Sequence, residues 1–160
     1  EEHYHQELKL FVEITVKSLS IDLNDPNTGM DCIRKISNLL GKLFSTKNNF
    51  IVAKDNENAK IIYTSYTVKE GLYLTFYQII HYSISDPGIA YALLEGLYHT
   101  YMMSDKTAQP DIKEFFKYVY TLINQQNHFS LEKERFDSIY RELIKDDKDT
   151  LNLELNKDEA

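Results

Sequence analysis

The side chains that could bind a metal are few, and their spacing does not match a known metal site. The chain of 160 residues contains five histidines and a single cysteine, Cys32. A zinc site needs several such ligands at short spacing, or two histidines one helical turn apart. His3 and His5 stand two residues apart, and the remaining histidines are isolated. The sequence therefore predicts no metal site and no cofactor.

Other catalytic and ion-binding motifs are missing as well. The chain has no G-x-S-x-G turn, no phosphate-binding glycine loop and no dinucleotide fingerprint. Cys32 precedes Ile33 in an apolar helical pattern, which is typical of a small core residue. A weak match to a calcium loop begins at Leu23 and ends at Arg34, so carboxylates are absent from both ends. The sequence predicts a protein that is not an enzyme.

Tyrosine is the most conspicuous residue type, with twelve copies. Tyr77, Tyr91, Tyr120 and Tyr140 each match the tyrosine-x-x-apolar pattern of short sorting signals. Such signals act as exposed extended peptides, whereas these four lie in helical patterns where positions i and i+3 pack together. The stretch Ser65–Gly88 is almost uncharged in its second half. We interpret it as a central helix, with Tyr73, Phe76 and Tyr77 filling the interior.

The elements that would position these side chains are mainly helices. Five glycines and three prolines supply too few turns for a β-sandwich. Capping patterns mark helix starts at Thr28, Thr67, Asp86 and Ser130. The first segment favours a helix, with residues 8–16 as a strand in an alternative α+β fold. Residues 50–66 fit a β-hairpin, and a helix beginning after Asp55 fits nearly as well.

The predicted fold is a mainly α bundle of about six helices, or a short armadillo- or HEAT-like stack, with one hairpin near residues 50–66. Residues 1–146 would form a single helical domain. Residues 147–160 would form an acidic C-terminal tail that stays disordered or docks weakly on the domain. In a competing interpretation, Thr150–Asn156 pairs as a short strand with a partner.

Charge and cysteine content restrict the expected partners and compartment. The net charge of −7 opposes binding to phosphate backbones and to anionic lipid headgroups. One cysteine cannot form an internal disulfide, which favours a reducing compartment. No apolar run approaches the length of a membrane span. We therefore expect a cytoplasmic or nuclear protein that contacts neither nucleic acid nor membrane.

These observations favour a non-catalytic interaction module of a larger scaffold, adaptor or regulatory protein. It would bind a protein or peptide, with basic character, in a groove between helices. The predicted anchors are aromatic residues near charges on the later helices, namely Tyr98, Tyr101, Tyr118 and Phe129. A first alternative is a small-molecule or lipid-binding domain with a cavity lined by Tyr73, Tyr77 and His81. A second alternative is a structural domain that forms a homodimer.

Overall fold

A computed structural model describes the backbone of residues 2–45, 50–55, 58–63 and 67–158, and the side chains of residues 6–45 and 67–146. Within these residues the chain forms six helices and one two-stranded hairpin. In chain order they are α1 (Glu2–Ser18), α2 (Pro26–Phe44), β1 (Phe50–Asp55), β2 (Asn58–Tyr63), α3 (Val68–Ser83), α4 (Pro87–Met103), α5 (Gln109–Asn124) and α6 (Ser130–Asp158). The mainly α prediction is confirmed.

The two regions of ambiguous pattern are resolved by the backbone. The first segment is α1, so the alternative strand at residues 8–16 is wrong. Apolar residues alternate in this segment, but its polar residues also recur at helical spacing, and the helical pattern prevails. The helix buries Thr15 and Ser18. β1 and β2 pair antiparallel, with Phe50 opposite Tyr63 and Asp55 opposite Asn58. A hairpin, and not a helix, therefore occupies this stretch.

The helices run alternately up and down. α2 and α4 are parallel, because residues later in α2 contact residues later in and just after α4, from Arg34–Glu95 to Phe44–Asp105. α6 is parallel to α4 for the same reason, since Tyr91 contacts Arg135 and Tyr98 contacts Asp146. The turns α1–α2 (residues 19–25), α3–α4 (84–86) and α5–α6 (125–129) consequently share one end of the bundle. We call it the turn end.

The tightest helix contact lies between α2 and α4. A Cβ added at Gly96 would stand 2.2 Å from the Ser37 hydroxyl oxygen. The Thr100 hydroxyl donates to the Ser37 carbonyl at 3.1 Å and to the Gly96 carbonyl at 2.9 Å, linking the two backbones. Small residues at these positions let the helices approach until backbone and side chain touch.

Helix capping follows the local sequence signals at the starts of α3 and α4. α6 begins at Ser130 itself, so the predicted cap is instead the first residue of that helix. Thr67 and Glu70 form the predicted capping box at the start of α3. Asp86 caps α4 ahead of Pro87. The cap of α2 is Asp25, whose carboxylate accepts hydrogen bonds from the backbone and hydroxyl of Thr28, so the prediction of Thr28 as the cap is wrong. Pro26 starts the helix three residues earlier than a cap at Thr28 would allow.

The prediction that α3 is buried all round is also wrong. Its inner face contributes Leu72, Phe76 and Ile79 to the core, whereas Tyr73 and Tyr77 are exposed. The outer face also carries Leu74 and Tyr82 in contact with solvent. Because tyrosine has an apolar ring and a polar tip, a run of tyrosines satisfies a buried and an exposed pattern equally well.

The C-terminal stretch continues the last helix. α6 extends without interruption to Asp158, so the interpretation of Thr150–Asn156 as a strand is wrong. The Tyr98 hydroxyl donates to Asp146 at 2.7 Å, and the Tyr120 hydroxyl donates to Asp137 at 2.5 Å. These bonds attach α6 to α4 and α5. The division into a domain at 1–146 and a tail at 147–160 stays a prediction.

Substitution of Gly96 with alanine should destabilise the protein by about 1–3 kcal/mol, because the new methyl group overlaps Ser37 in a packed interface. The matched control is Gly71→Ala in α3, where a Cβ meets only Phe44 at 4.0 Å. There the better helix propensity should add about 0.5–1 kcal/mol. Urea denaturation measures both free energies of unfolding. Equal effects of the two substitutions contradict the α2–α4 contact.

Candidate functional site

An apolar groove of about 600 Å³ lies on the surface between α3 and α5. We call it the α3–α5 groove. Its apolar wall consists of Tyr73 and Leu74 from α3 and Phe115 and Tyr118 from α5. Its polar edge consists of Lys69, Glu70 and Glu114. The groove is open to solvent and presents a concave aromatic surface.

Helical spacing and the core below hold the walls of this groove in place. On α5, Phe115 and Tyr118 are one turn apart, and their ring centroids are 5.7 Å apart. Phe115 also packs against the buried Phe76 of α3 at 6.3 Å. On α3, the Tyr73 ring stacks on Tyr77 at 5.8 Å. The wall residues are therefore supported by aromatic contacts from both helices.

Each charged group at the edge of the groove has a hydrogen-bond partner within the protein. The Lys69 ammonium lies 2.6 Å from the Glu114 carboxylate, bridging α3 and α5. This hydrogen bond raises the pKa of Lys69. The Glu70 carboxylate accepts hydrogen bonds from the backbone and hydroxyl of Thr67 in the capping box. The groove thus offers a large apolar surface, and its edge residues Lys69, Glu70 and Glu114 leave one negative charge in excess.

The four predicted anchor residues do not form one site. Tyr118 lines the α3–α5 groove. Tyr101 is only 6% exposed, so its interpretation as a surface anchor is wrong. Its position on α4 directs the side chain toward the core. Tyr98 is half-buried and bonded to Asp146. Phe129 is 81% exposed, but it lies at the turn end.

The three residues predicted to line a cavity do not all line the groove. Tyr73 belongs to the groove, whereas Tyr77 and His81 lie on the outer side of α3 and do not line it. The His81 ring contacts Tyr82 edge-on at 5.0 Å. An enclosed cavity lined by Tyr73, Tyr77 and His81 is therefore wrong, because the helix turns all three outward and the neighbouring α5 covers only one side.

Sequence reasoning missed Leu74, Phe115 and Lys69. The pairs Tyr73–Leu74 and Phe115–Tyr118 are visible as apolar residues beside charges. Their convergence depends on α3 packing beside α5, which no local pattern specifies. Cys32 is buried in the core, as its neighbours indicated. Among the side chains that the structure describes, no group of three or more histidine, cysteine or acidic residues converges as a metal site.

A family model covers α1, α2, the hairpin, α3 and most of α4, matching residues 1–99. The chain belongs to the DUF2254 family. This family is described as predicted membrane proteins. A search of curated proteins and a search of solved structures gave no match.

Membership of the DUF2254 family corrects three expectations from composition. Three predictions are wrong because the family consists of predicted membrane proteins. They are the cytoplasmic or nuclear location, the description of the protein as cytoplasmic, and the absence of membrane contact. Net charge and cysteine content are averages over the chain and do not decide whether a protein belongs to a membrane protein family. In the part of the chain that the structure describes, no helix is both long and apolar enough to cross a bilayer.

The hydrogen bond between Tyr98 and Asp146 makes a prediction about alkaline pH. The hydrogen bond from the Tyr98 hydroxyl to the Asp146 carboxylate is the main cause, and burial the second, that raises the pKa of Tyr98 from 10.0 to about 12. A raised pKa in the folded state means that the bond stabilises the protein below pH 10.0 and that this stabilisation is lost as the pH rises toward about 12.

Replacement of Asp146 with asparagine should return the Tyr98 pKa toward 10.0. Ultraviolet absorbance of phenolate measures the titration, and Tyr98→Phe identifies the contribution of this side chain. An unchanged titration curve in Asp146→Asn contradicts the assigned bond.

Proposed function

We propose that this chain is a non-catalytic interaction module of a membrane protein, and that the α3–α5 groove binds an apolar segment of a partner protein. The supporting observation is the combination of Tyr73, Leu74, Phe115 and Tyr118 on one concave surface. Exposed apolar patches of this kind mark interaction sites in soluble folds. Tyrosine is also enriched among the residues that dominate binding energy.

The type of partner segment follows from the charges at the edge. Lys69 and Glu114 satisfy each other, and the Glu70 carboxylate is used by the capping box. One negative charge remains in excess at this edge, so an acidic partner group would be repelled. An uncharged apolar side chain loses nothing on entry and gains burial against Leu74 and Phe115. The preferred ligand is therefore a segment that presents apolar or aromatic side chains on one side.

The geometry of the walls favours a helical segment. The groove runs between two neighbouring helices, which is the arrangement that accepts an amphipathic helix with anchors at i, i+3 or i+4. Phe115 sits below the surface against Phe76, so the floor is rigid. Tyr73 and Tyr118 stand at the sides with polar tips toward solvent, where hydroxyls can bond to the partner backbone.

Selection of peptides from a displayed library against the folded chain tests this proposal. We expect the selected peptides to share apolar residues one helical turn apart. Leu74→Glu should lower their affinity by at least about tenfold, because it places a charge in the apolar wall. Fluorescence polarisation with a labelled peptide measures the loss.

Leu10→Glu is the matched control, since Leu10 is an exposed leucine of similar accessibility on α1. It should leave peptide affinity unchanged. Circular dichroism verifies that both variants are folded. Peptides that bind Leu74→Glu as well as the original chain, or that lose affinity equally with Leu10→Glu, contradict the groove as the binding site.

A second candidate function is the binding of a small apolar molecule or lipid in the same groove. The volume of about 600 Å³ supports it, because small-molecule sites commonly measure about 300–1,000 Å³. Native mass spectrometry of freshly purified protein should then show a retained mass that Leu74→Glu eliminates and Leu10→Glu keeps. Retention by both variants places the ligand elsewhere.

A further inference from the structure

Exposed apolar side chains are concentrated at the turn end. Ile21, in the α1–α2 turn, is 99% exposed, and Leu23 in the same turn is also exposed. Tyr82 is exposed in the last turn of α3. Phe129 and Leu131 are exposed where the α5–α6 turn enters α6. Two of the three turns at this end, together with the last turn of α3, therefore carry large apolar groups into solvent.

These turns are held by hydrogen bonds. The backbone amides of Asn24 and Asp25 donate to the carbonyls of Ser20 and Ser18, each at 2.8 Å. The Phe129 amide donates to the Glu132 carboxylate at 2.7 Å. Their exposed side chains are thus presented by ordered backbone, and their exposure is a property of the folded state.

The distribution of these residues differs from that of the α3–α5 groove. Packed helices are separated by about 8–10 Å, so side chains on three different turns or helix ends are spread across the whole end of the bundle. Ile21, Tyr82 and Phe129 each lie on a different turn or helix end. A partner that covers all of them must be broad.

We infer that the turn end of this chain contacts the interfacial region of a lipid bilayer. A bilayer is broad and flat, and the aromatic rings of tyrosine and phenylalanine together with aliphatic side chains insert at the boundary between headgroups and acyl chains. The chain belongs to a family of predicted membrane proteins. This inference rests on different residues from the groove proposal and stands independently of it.

The charge of the protein selects the lipid. Asp22 is an exposed acidic residue between Ile21 and Leu23. Asp25 and Asp86 are helix caps whose carboxylates accept bonds from backbone amides. With a net charge of −7, the protein is repelled by anionic headgroups. Lys17 and Lys133 are exposed near the same end, so the preference for zwitterionic phosphatidylcholine over anionic lipid comes from the net charge of the whole protein.

This contact would leave the groove in water. Tyr73 precedes Tyr82 by nine residues on α3, which is about 13 Å along the axis at about 1.5 Å per residue. Lys69 is one turn farther from the turn end. The bilayer would thus contact one end of the bundle while the groove stays accessible to a partner.

The chain has no tryptophan, so one introduced tryptophan is a unique fluorescent probe. Phe129→Trp should show a blue-shifted emission on addition of phosphatidylcholine vesicles and quenching when the lipid carries brominated acyl chains. Met102→Trp is the control, because Met102 is exposed at the opposite end of α4. Its emission should not change. Vesicles that contain phosphatidylglycerol should bind more weakly.

The double substitution Ile21→Ser with Phe129→Ser should lower the vesicle partition coefficient by at least about tenfold, since it removes two apolar insertions. Circular dichroism verifies its fold. Three results overturn the inference: no response of Phe129→Trp to vesicles, an equal response of Met102→Trp, or a shift of Phe129→Trp emission with protein concentration alone, which indicates a second copy as the occupant.

Discussion

The close contact between α2 and α4 is the constraint on which the arrangement of this molecule depends. Gly96 lets Ser37 approach the α4 backbone, and Thr100 bonds across the interface to the Ser37 carbonyl. Two helices held so closely and in parallel require a connection that returns along the bundle, and α3 supplies it. The same constraint sets which turns share an end and places α3 beside α5, from which the groove follows.

Local chemistry made much of the fold predictable from sequence. Capping at Thr67 and Asp86 depends on residues within one helical turn, so a short stretch of sequence specifies both the cap and the start of the helix. The orientation of α3 was not predictable in this way. Its tyrosines fit an inner and an outer face alike, and only the packing of Phe76 against Phe115 decides that Tyr73 and Tyr77 face solvent.

The candidate site was predictable in residue type but not in location. Tyr118 and Tyr101 are both tyrosines near charges on neighbouring helices, yet one lines the groove and the other is buried. Their difference comes from which helix covers each position, a tertiary property with no signal at short range. The family of predicted membrane proteins was not anticipated for a related reason: net charge and cysteine content are averages over the chain and carry no signal of family membership.

Two apolar surfaces of different shape then coexist on one acidic protein. The α3–α5 groove is concave, and the Lys69–Glu114 pair bridges its edge, which suits a narrow ligand that brings apolar groups between two helices. At the turn end, Ile21 and Phe129 project from separate turns over a wide area, which suits a broad partner. A single ligand cannot satisfy both shapes. Because the bundle separates them along its axis, occupation of one surface leaves the other free, so the two proposed contacts are compatible on one molecule.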